Sequence, residues 1–342
     1  MSFQARRLRF VTDPLYAAHL RGVAHPERPD RVAAVAAVLE RRGVLADPIA
    51  ARDASDEELE RVHTRSYVDL VERETAGLTS ARYLSTGDTI VDSGSWRAAR
   101  RAAGGAIVAA EHAYSSGESA FALVRPPGHH AEPDRGMGFC LFNNVAVAAR
   151  ALQAAYGGRM LVVDFDYHHG NGTEAVAGAG LSYCSTHAHP AYPGTGTRSY
   201  LIGDDLVANV PLPADGVSTE GFIAVWERLL PLVAETVRPD AVLVSAGFDY
   251  VAGDEVGDLG VGVEAAGPLA AAIRRVADEY CGGRVAYFLE GGYGLEAIEN
   301  SIAAIVEVAD RSSAPLPSAA EARAIPARAR AVLDGLALAQ GS

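Results

Sequence analysis

The sequence contains no lysine: all 30 basic residues are arginine, and 43 acidic residues leave a net charge of −13. A protein that binds nucleic acid needs a basic surface against the phosphates, so this acidic balance argues against a nucleic-acid partner. The same charge is compatible with a cationic substrate. We attribute the arginine-only composition to GC-rich coding, and together with the abundance of alanine it indicates a bacterial source.

Cysteine and long apolar segments are also scarce. Cys140, Cys184 and Cys281 are too few and too scattered for a disulfide framework or a cysteine-based zinc site, which favours a reducing compartment. No uncharged apolar stretch reaches the ~18 residues of a membrane span. Residues 1–11 are polar and carry arginine, unlike a signal peptide. We therefore expect a cytoplasmic protein without a membrane partner.

What the sequence does contain is an alternation of short apolar runs and alanine-rich stretches. Apolar runs that end in Gly, Pro, Asp or His predict buried parallel strands at 9–11, 121–124, 160–165, 181–185, 241–245 and 285–289. The stretches between them predict helices at 29–41, 95–114, 143–155, 220–237 and 263–280. This order predicts an α/β fold with one parallel sheet and helices on both faces.

Length and composition bear on the number of domains. With 342 residues, 49% of them hydrophobic, the chain can form one elaborate α/β domain or two domains. We expect one domain over residues 1–311 and a short appendage over 312–342. The appendage would comprise a linker rich in serine and proline at 312–318 and a helical segment at 319–336.

Candidate metal ligands follow two of the predicted strands. Ligands of parallel sheets bind beyond the carboxyl ends of the strands, so these positions carry most information. Asp166 and His168 are two residues apart, and in an extended chain such side chains point the same way. With Asp249 after another strand, they offer the three ligands of a zinc site whose fourth position stays open. Each motif alone is equally typical of solvated loop residues.

Candidate catalytic groups follow two further strands. His129 and His130 come after a rigid Pro-Pro-Gly turn, and imidazole suits proton transfer near neutral pH. Tyr293 lies between glycines, and its phenol could donate a hydrogen bond to a developing oxyanion. Surface histidines and a rim tyrosine are the alternatives. Phe139 and Tyr192 are either core aromatics or two walls of a narrow apolar channel.

Seven motifs, taken together, resemble the histone deacetylase and acetylpolyamine amidohydrolase superfamily and occur in its order. They are HPERPDR (25–31), RPPGHHA (125–131), GFCLFNNVAVAA (138–149), DFDYHHGNGTE (164–174), STHAHPAYPGTG (185–196), SAGFD (245–249) and LEGGYGL (289–295). The resemblance implies the arginase/deacetylase fold, a single parallel sheet of about eight strands with helices on both faces. Residues 1–311 would then form a zinc-dependent deacetylase domain.

The resemblance also implies roles for the central residues. Asp166, His168 and Asp249 would bind one catalytic Zn²⁺. His130 would act first as general base and then as general acid. Tyr293 would share the scissile carbonyl with the zinc. We therefore expect a metal-dependent amidohydrolase that removes acetyl or other acyl groups from amines, most of all from lysine side chains of proteins.

Further residues take supporting roles by the same resemblance. His129 would be an electrostatic partner, hydrogen-bonded to Asp164. The acyl-lysine tunnel would be lined by Gly138, Phe139, Tyr192, Asp88 and Val256. A structural K⁺ would be held by side-chain or backbone oxygens of Asp164, Asp166, His168, Ser185 and Thr186.

Asn171 departs from one branch of the family. Class I deacetylases have an aspartate there as the partner of the second histidine, whereas class II enzymes and their bacterial relatives have asparagine. A neutral amide stabilises protonated His130 less than a carboxylate would, so the pKa of His130 should stay lower. The LEGGY motif ending at Tyr293 is also like class II.

Three alternatives stay open. An acetylpolyamine amidohydrolase would need an acidic gatekeeper, whose position falls on the apolar Val256, directly after Glu255. A ureohydrolase with two manganese ions would need an Asp-x-Asp motif at its last metal ligand, but the next aspartate after Asp249 is Asp254. A catalytically silent acyl-lysine binding module would be expected to lack Tyr293 or a metal ligand, and all are present.

Overall fold

The computed structural model describes residues 8–309 and 324–340. Its strands are β1 (Arg9–Thr12), β2 (Ile49–Ala50), β3 (Arg82–Tyr83), β4 (Ile90–Val91), β5 (Ala120–Ala122), β6 (Met160–Asp164), β7 (Leu181–Ala188), β8 (Tyr200–Ile202), β9 (Asp205–Leu212), β10 (Ala241–Ala246) and β11 (Val285–Leu289). Its α-helices are α1 (Asp30–Arg41), α2 (Asp56–Glu60), α3 (Arg65–Thr75), α4 (Ser95–Ser116), α5 (Asn144–Tyr156), α6 (Asn171–Ala175), α7 (Thr219–Val237), α8 (Ala266–Tyr280), α9 (Leu295–Ala309) and α10 (Ala327–Gln340).

One mixed sheet organises this described part of the chain. Its nine strands follow the order β2-β1-β5-β11-β10-β6-β7-β9-β8. All neighbours pair in parallel except β8, which is antiparallel to β9 at one edge. The predicted α/β fold with about eight parallel strands is therefore confirmed, and β8 is an added edge strand. The short strands β3 and β4 form a separate antiparallel pair.

The sheet is buried on both faces because helices cover each face and successive side chains along a strand point to opposite faces. In β6, Leu161 packs in the core that contains Leu229 of α7, whereas Val162 packs in the core that contains Ala106 of α4. All five β6 residues are buried, as the continuous apolar run predicts. The candidate metal ligands, the tandem histidines and Tyr293 therefore lie in the loops that follow the strands.

Several elements were not predicted, among them β9, α3 and α9. All eight residues of β9 are buried, yet Pro211 interrupts its apolar pattern, and proline is rare within strands. The proposed linker at 312–318 lies outside the described residues. The helix expected nearby is α10, which packs through Ala329 and Leu333 near β9 and α7. Within the described residues, no helix combines the length and apolar character that a membrane crossing needs.

Candidate functional site

The site residues follow four neighbouring strands and lie at the same edge of the sheet. The central strands run side by side in the order β5, β11, β10, β6, all parallel, so their carboxyl ends meet. The segment after β5 carries His130, the loop after β11 carries Tyr293 and the turn after β10 carries Asp249. Asp166 and His168 follow β6. The topology thus brings together residues that are far apart in the sequence.

Asp166, His168 and Asp249 form a compact cluster of potential metal ligands. Nδ1 of His168 lies 3.2 Å from Oδ1 of Asp166 and 3.0 Å from Oδ2 of Asp249. One ligand atom from each residue lies within 4.8 Å of the other two, and all three residues are largely buried. Ligand atoms of a tetrahedral zinc ion are roughly 3.3 Å apart for bond lengths near 2.0 Å. The observed separations fit such an ion.

The backbone orients both carboxylates of this cluster. Gly291 donates its N–H to Oδ2 of Asp166 at 2.8 Å, and Tyr167 donates its N–H to Oδ1 of Asp249 at 2.9 Å. The second oxygen of each carboxylate, Oδ1 of Asp166 and Oδ2 of Asp249, faces His168. A Cβ atom at Gly247 or Gly291 would collide with these carboxylates, so only glycine allows the chain to approach this closely.

The cluster carries more negative charge than the chain itself neutralises. Burial and the adjacent Asp166 carboxylate raise the pKa of Asp249 to about 6, although His168 opposes this effect. Burial of two neighbouring ionised carboxylates costs free energy unless a cation binds between them. Charge and donor types therefore both suit a divalent metal ion.

The tandem histidines lie beside this cluster and have different partners. Nδ1 of His129 is 3.1 Å from Oδ2 of Asp164, whereas Nδ1 of His130 is 2.8 Å from Oδ1 of Asn171. Burial disfavours protonation of His129, but Asp166 and Asp164 outweigh it and raise its pKa to about 10. Burial and the neighbouring charge of His129 lower the pKa of His130 well below its usual range. The surroundings thus favour protonation of His129 and disfavour protonation of His130.

Glu132 fixes the orientation of the amide that holds His130. Nδ2 of Asn171 donates to Oε1 of Glu132 at 2.7 Å, so Oδ1 of Asn171 faces His130. An oxygen acceptor at Nδ1 assigns the proton of neutral His130 to Nδ1 and leaves Nε2 free to accept another. No role for Glu132 was predicted from the sequence, although it directly follows the tandem-histidine motif.

Glu290 anchors the turn that carries the histidines. Its Oε2 accepts the N–H of Gly128 at 2.6 Å and the N–H of His129 at 3.1 Å. The carboxyl group is fully buried, and burial raises its pKa to about 7. Glu290 thereby joins the end of β11 to the tandem-histidine turn. Its position in LEGGY was noted from the sequence, but this contact was not predicted.

Tyr293 is held by groups that the sequence analysis did not assign. Its ring is 3% exposed, and the guanidinium carbon of Arg31 lies 4.8 Å from the ring centroid. Arg31 also donates to the carbonyl of Gly292 at 2.6 Å and pairs with Glu27 at 3.2 Å. Burial raises the pKa of the phenol well above 10, so it stays a hydrogen-bond donor.

A cavity of about 300 Å³ connects these groups to the surface. Its walls combine predicted metal, catalytic and tunnel residues with Pro127 and Gly291, which were not predicted; the predicted ones are Asp88, His129, His130, Gly138, Phe139, Asp166, His168, Tyr192, Val256 and Tyr293. All five predicted tunnel residues are among them. Gly138 has φ +56°, and a side chain there would collide with the His130 ring. Oδ1 of Asp88 accepts the N–H of Gly138 at 2.8 Å.

Other predicted residues lie behind the cavity walls. Asp164, Asn171 and Asp249 contact lining residues from behind. Asp164 and Ser185, predicted potassium ligands, are register partners on β6 and β7, and Thr186 follows Ser185 on β7. An apolar cavity of about 640 Å³ between β8, α7 and α10 has none of the predicted site residues in its described lining. We therefore place the candidate site in the smaller cavity.

Comparison with known protein families matches residues 25–309 to the histone deacetylase domain. The chain therefore belongs to the histone deacetylase family. The match begins at the first of the seven motifs and includes all of them.

Individual relatives agree with this assignment. The chain is similar to histone deacetylase 15 of Arabidopsis thaliana, with 40% identity over 296 residues, 83% of this chain and 52% of that protein. It thus spans about half the length of that relative. A probable deacetylase of Archaeoglobus fulgidus is 34% identical over 82% of this chain and 80% of its own. The crystal structure of the HDA15 HD domain superposes with a TM-score of 0.83 at 34% identity, covering 99% of this chain and 98% of that one.

Proposed function

We propose that this protein is a zinc-dependent amidohydrolase that removes acetyl or other acyl groups from lysine side chains of proteins or peptides. The observation that carries the proposal is the convergence of Asp166, His168 and Asp249 in a cavity also lined by His130 and Tyr293. Membership of the histone deacetylase family supports the same class of reaction.

The donor set fits one zinc ion, which Asp166, His168 and Asp249 would hold. A bound zinc ion supplies Lewis acidity, which polarises an amide carbonyl and makes water more acidic. A single cluster of metal-ligating side chains is found in the described residues, which favours one ion over the two of a ureohydrolase. Asp254, the next aspartate after Asp249, is instead engaged by backbone N–H groups.

The chain's own residues supply the proton transfers. Neutral His130 accepts a proton from the attacking water at Nε2 as the new C–O bond forms. Tyr293 donates a hydrogen bond from its phenol to the oxygen that gains negative charge. His130 then gives its proton to the amine nitrogen as the C–N bond breaks, which releases the carboxylic acid and the free amine; the acid then passes its proton to the amine, leaving carboxylate and ammonium. Charged His129, paired with Asp164, stabilises the negative charge that develops nearby.

The cavity walls support an acyl-lysine substrate over a polyamine. Phe139 and Tyr192 offer apolar surface for the methylene groups of a lysine side chain. At the gatekeeper position it is Val256 that lines the cavity, whereas Glu255 pairs with Arg28 at 3.6 Å. The gatekeeper position therefore offers no carboxylate that could bind a polyamine cation.

Hydrolysis of a panel of substrates tests this proposal. We expect acetyl-lysine peptides to be hydrolysed faster than acetylputrescine, and both reactions to stop in the presence of a chelator. Faster hydrolysis of acetylputrescine would favour the polyamine alternative. Binding of acyl-lysine peptide without turnover would favour a silent binding module.

Removal of the phenol should slow the reaction without weakening substrate binding. In Tyr293→Phe, kcat should fall by about 10²–10³-fold, the scale for losing one oxyanion donor, while KM changes little. The ring stays in place, so its packing against Phe139 and Arg31 is preserved. Steady-state kinetics on an acetyl-lysine peptide measure this, and an unchanged kcat would remove Tyr293 from the mechanism.

Asn171 should set the pH range in which His130 is neutral. An aspartate at this position would raise the pKa of His130 and move the acid limb of kcat/KM upward by about 1 pH unit. Glu132 lies against Asn171, so a second carboxylate there would be repelled. We therefore expect the acid limb of kcat/KM to move upward in the double variant Asn171→Asp/Glu132→Gln. The single variant Glu132→Gln is the control. Identical pH profiles in variant and control would argue against this role of Asn171.

A structural potassium ion, a cytoplasmic location and a bacterial source stay predictions. Asp164, the last residue of β6, pairs in register with Ser185 within β7, and this proximity supports the potassium site.

A further inference from the structure

Asp254 makes four hydrogen bonds with its carboxylate, all to backbone N–H groups. Oδ1 accepts from Val256 at 3.0 Å and from Gly257 at 3.3 Å. Oδ2 accepts from Tyr293 at 2.6 Å and from Gly294 at 2.9 Å. One side chain therefore joins two segments that are 39 residues apart in the sequence.

Both segments belong to the cavity described above. Val256 forms part of its wall, and Tyr293 carries the phenol. Tyr293 and Gly294 directly precede α9, and the first N–H groups of a helix lack partners within the helix. A carboxylate is stabilised there by the helix dipole, and its hydrogen bonds are stronger than those between neutral groups. Asp254 is therefore a strong anchor for this loop.

The loop that carries Tyr293 has three such anchors. The N–H of Gly291 is bound by Asp166 at 2.8 Å, and the carbonyl of Gly292 by Arg31 at 2.6 Å. Asp254 is the anchor that binds the backbone of Tyr293 itself. The glycines on either side of Tyr293 have no side chains that could pack and fix the loop, so hydrogen bonds to its backbone hold it, and the one to Tyr293 itself comes from Asp254.

We propose that Asp254 is a positioning residue, which holds the backbone of Tyr293 so that the phenol meets the substrate carbonyl. The inference rests on the role proposed above for Tyr293. Asp254 is not among the residues that line the cavity, so it acts through Tyr293 and not on the substrate. By binding the N–H of Val256 as well, it links the backbone of Tyr293 to the part of the cavity wall that Val256 forms.

Asparagine at this position keeps one acceptor oxygen and replaces the other with an amide that cannot accept. At least one pair of N–H groups thus loses its partner in Asp254→Asn. We expect kcat on an acetyl-lysine peptide to fall about 10–10²-fold with little change in KM, since a displacement of about 1 Å can cost that much.

A double-mutant cycle with Tyr293→Phe separates positioning from general damage. When the phenol is absent, its position no longer matters, so Asp254→Asn should then change kcat by less than about threefold. An equal loss of kcat in both backgrounds would overturn the inference and leave the proposed function intact. An unchanged kcat in Tyr293→Phe alone would instead contradict the role of the phenol, and the inference with it.

Asp258 provides a matched control in the same loop. Its carboxylate also binds backbone N–H groups, those of Gly253 at 2.9 Å and Gly260 at 2.7 Å, and both lie within the loop. Asp258→Asn should therefore retain the kcat of the parent protein. A loss similar to that of Asp254→Asn would assign the effect to the loop as a whole and overturn the inference.

A serine variant keeps the test decisive if Asp254→Asn does not fold. The Ser hydroxyl can still accept from the N–H two residues ahead, as in common serine turns, but is too short to reach Tyr293. Asp254→Ser therefore removes only the bonds to Tyr293 and Gly294. Its kcat should fall at least as far as that of Asp254→Asn, and parent-like kcat in this variant would overturn the inference.

Discussion

Substitution of His130 by alanine is expected to lower kcat by about 10³–10⁴-fold, more than the loss of the phenol. Proton transfer by a positioned side chain contributes up to about 10⁴-fold, and this residue would act in both halves of the reaction. Its lowered pKa keeps the imidazole neutral and ready to accept a proton at neutral pH. Steady-state kinetics and the metal content of the purified variant measure the effect.

The control for His130 is another histidine without a predicted role. His112 lies on α4 and pairs with Glu118 at 3.1 Å, remote in the fold from the strand ends that carry the site. His112→Ala should keep the kcat of the parent protein. His130→Ala should also bind zinc normally, because the imidazole is not a ligand. Activity within about tenfold of the parent would contradict a role for His130 in proton transfer.

Replacement of Asp249 by asparagine is expected to abolish activity through the loss of metal. Removal of residues that only support metal ligands typically costs about 10–100-fold in metal affinity or activity, so the loss of a ligand should cost more. The metal-free variant should nevertheless be at least as stable as the metal-free parent, because one of two adjacent buried carboxylates has become neutral. Thermal unfolding in the presence of a chelator measures this.

That comparison separates ligand loss from misfolding. An inactive variant with a lower metal-free melting temperature would indicate damage to the fold. An active variant that binds zinc as tightly as the parent would exclude Asp249 from the metal site.

The positions of the site residues could be predicted because the sheet is parallel. Short apolar runs such as β6 and β10 end in a few residues that must lie at the same edge, so Asp166, His168 and Asp249 could be expected together. The expectation that Asp166 and His168 point the same way assumed an extended chain, whereas residues 166–168 form a bend beyond the end of β6; the two side chains still approach to 3.2 Å. Among the elements that were not predicted is β9, a strand buried along its whole length, because Asn209 and Pro211 interrupt its apolar pattern.

The residues that orient the site could not be predicted, since their partners are distant in the sequence. Glu290 binds the turn at Gly128, and Arg31 binds the carbonyl of Gly292, contacts that exist only once strands and loops are assembled. Glu132 is close to the histidines in sequence, but its role depends on Asn171 from another loop. Residues that take part in the reaction are therefore easier to identify from a single sequence than residues that hold them in position.

The measurement that tests the central claim most directly is a metal titration of the chelator-treated parent protein. Deacetylation of an acetyl-lysine peptide and bound zinc are followed together as zinc is added. We expect no activity without metal and full activity at one zinc per chain, with neither zinc binding nor recovery of activity in Asp249→Asn. Full activity of the metal-free protein, or equal zinc binding by the parent and Asp249→Asn, would contradict it.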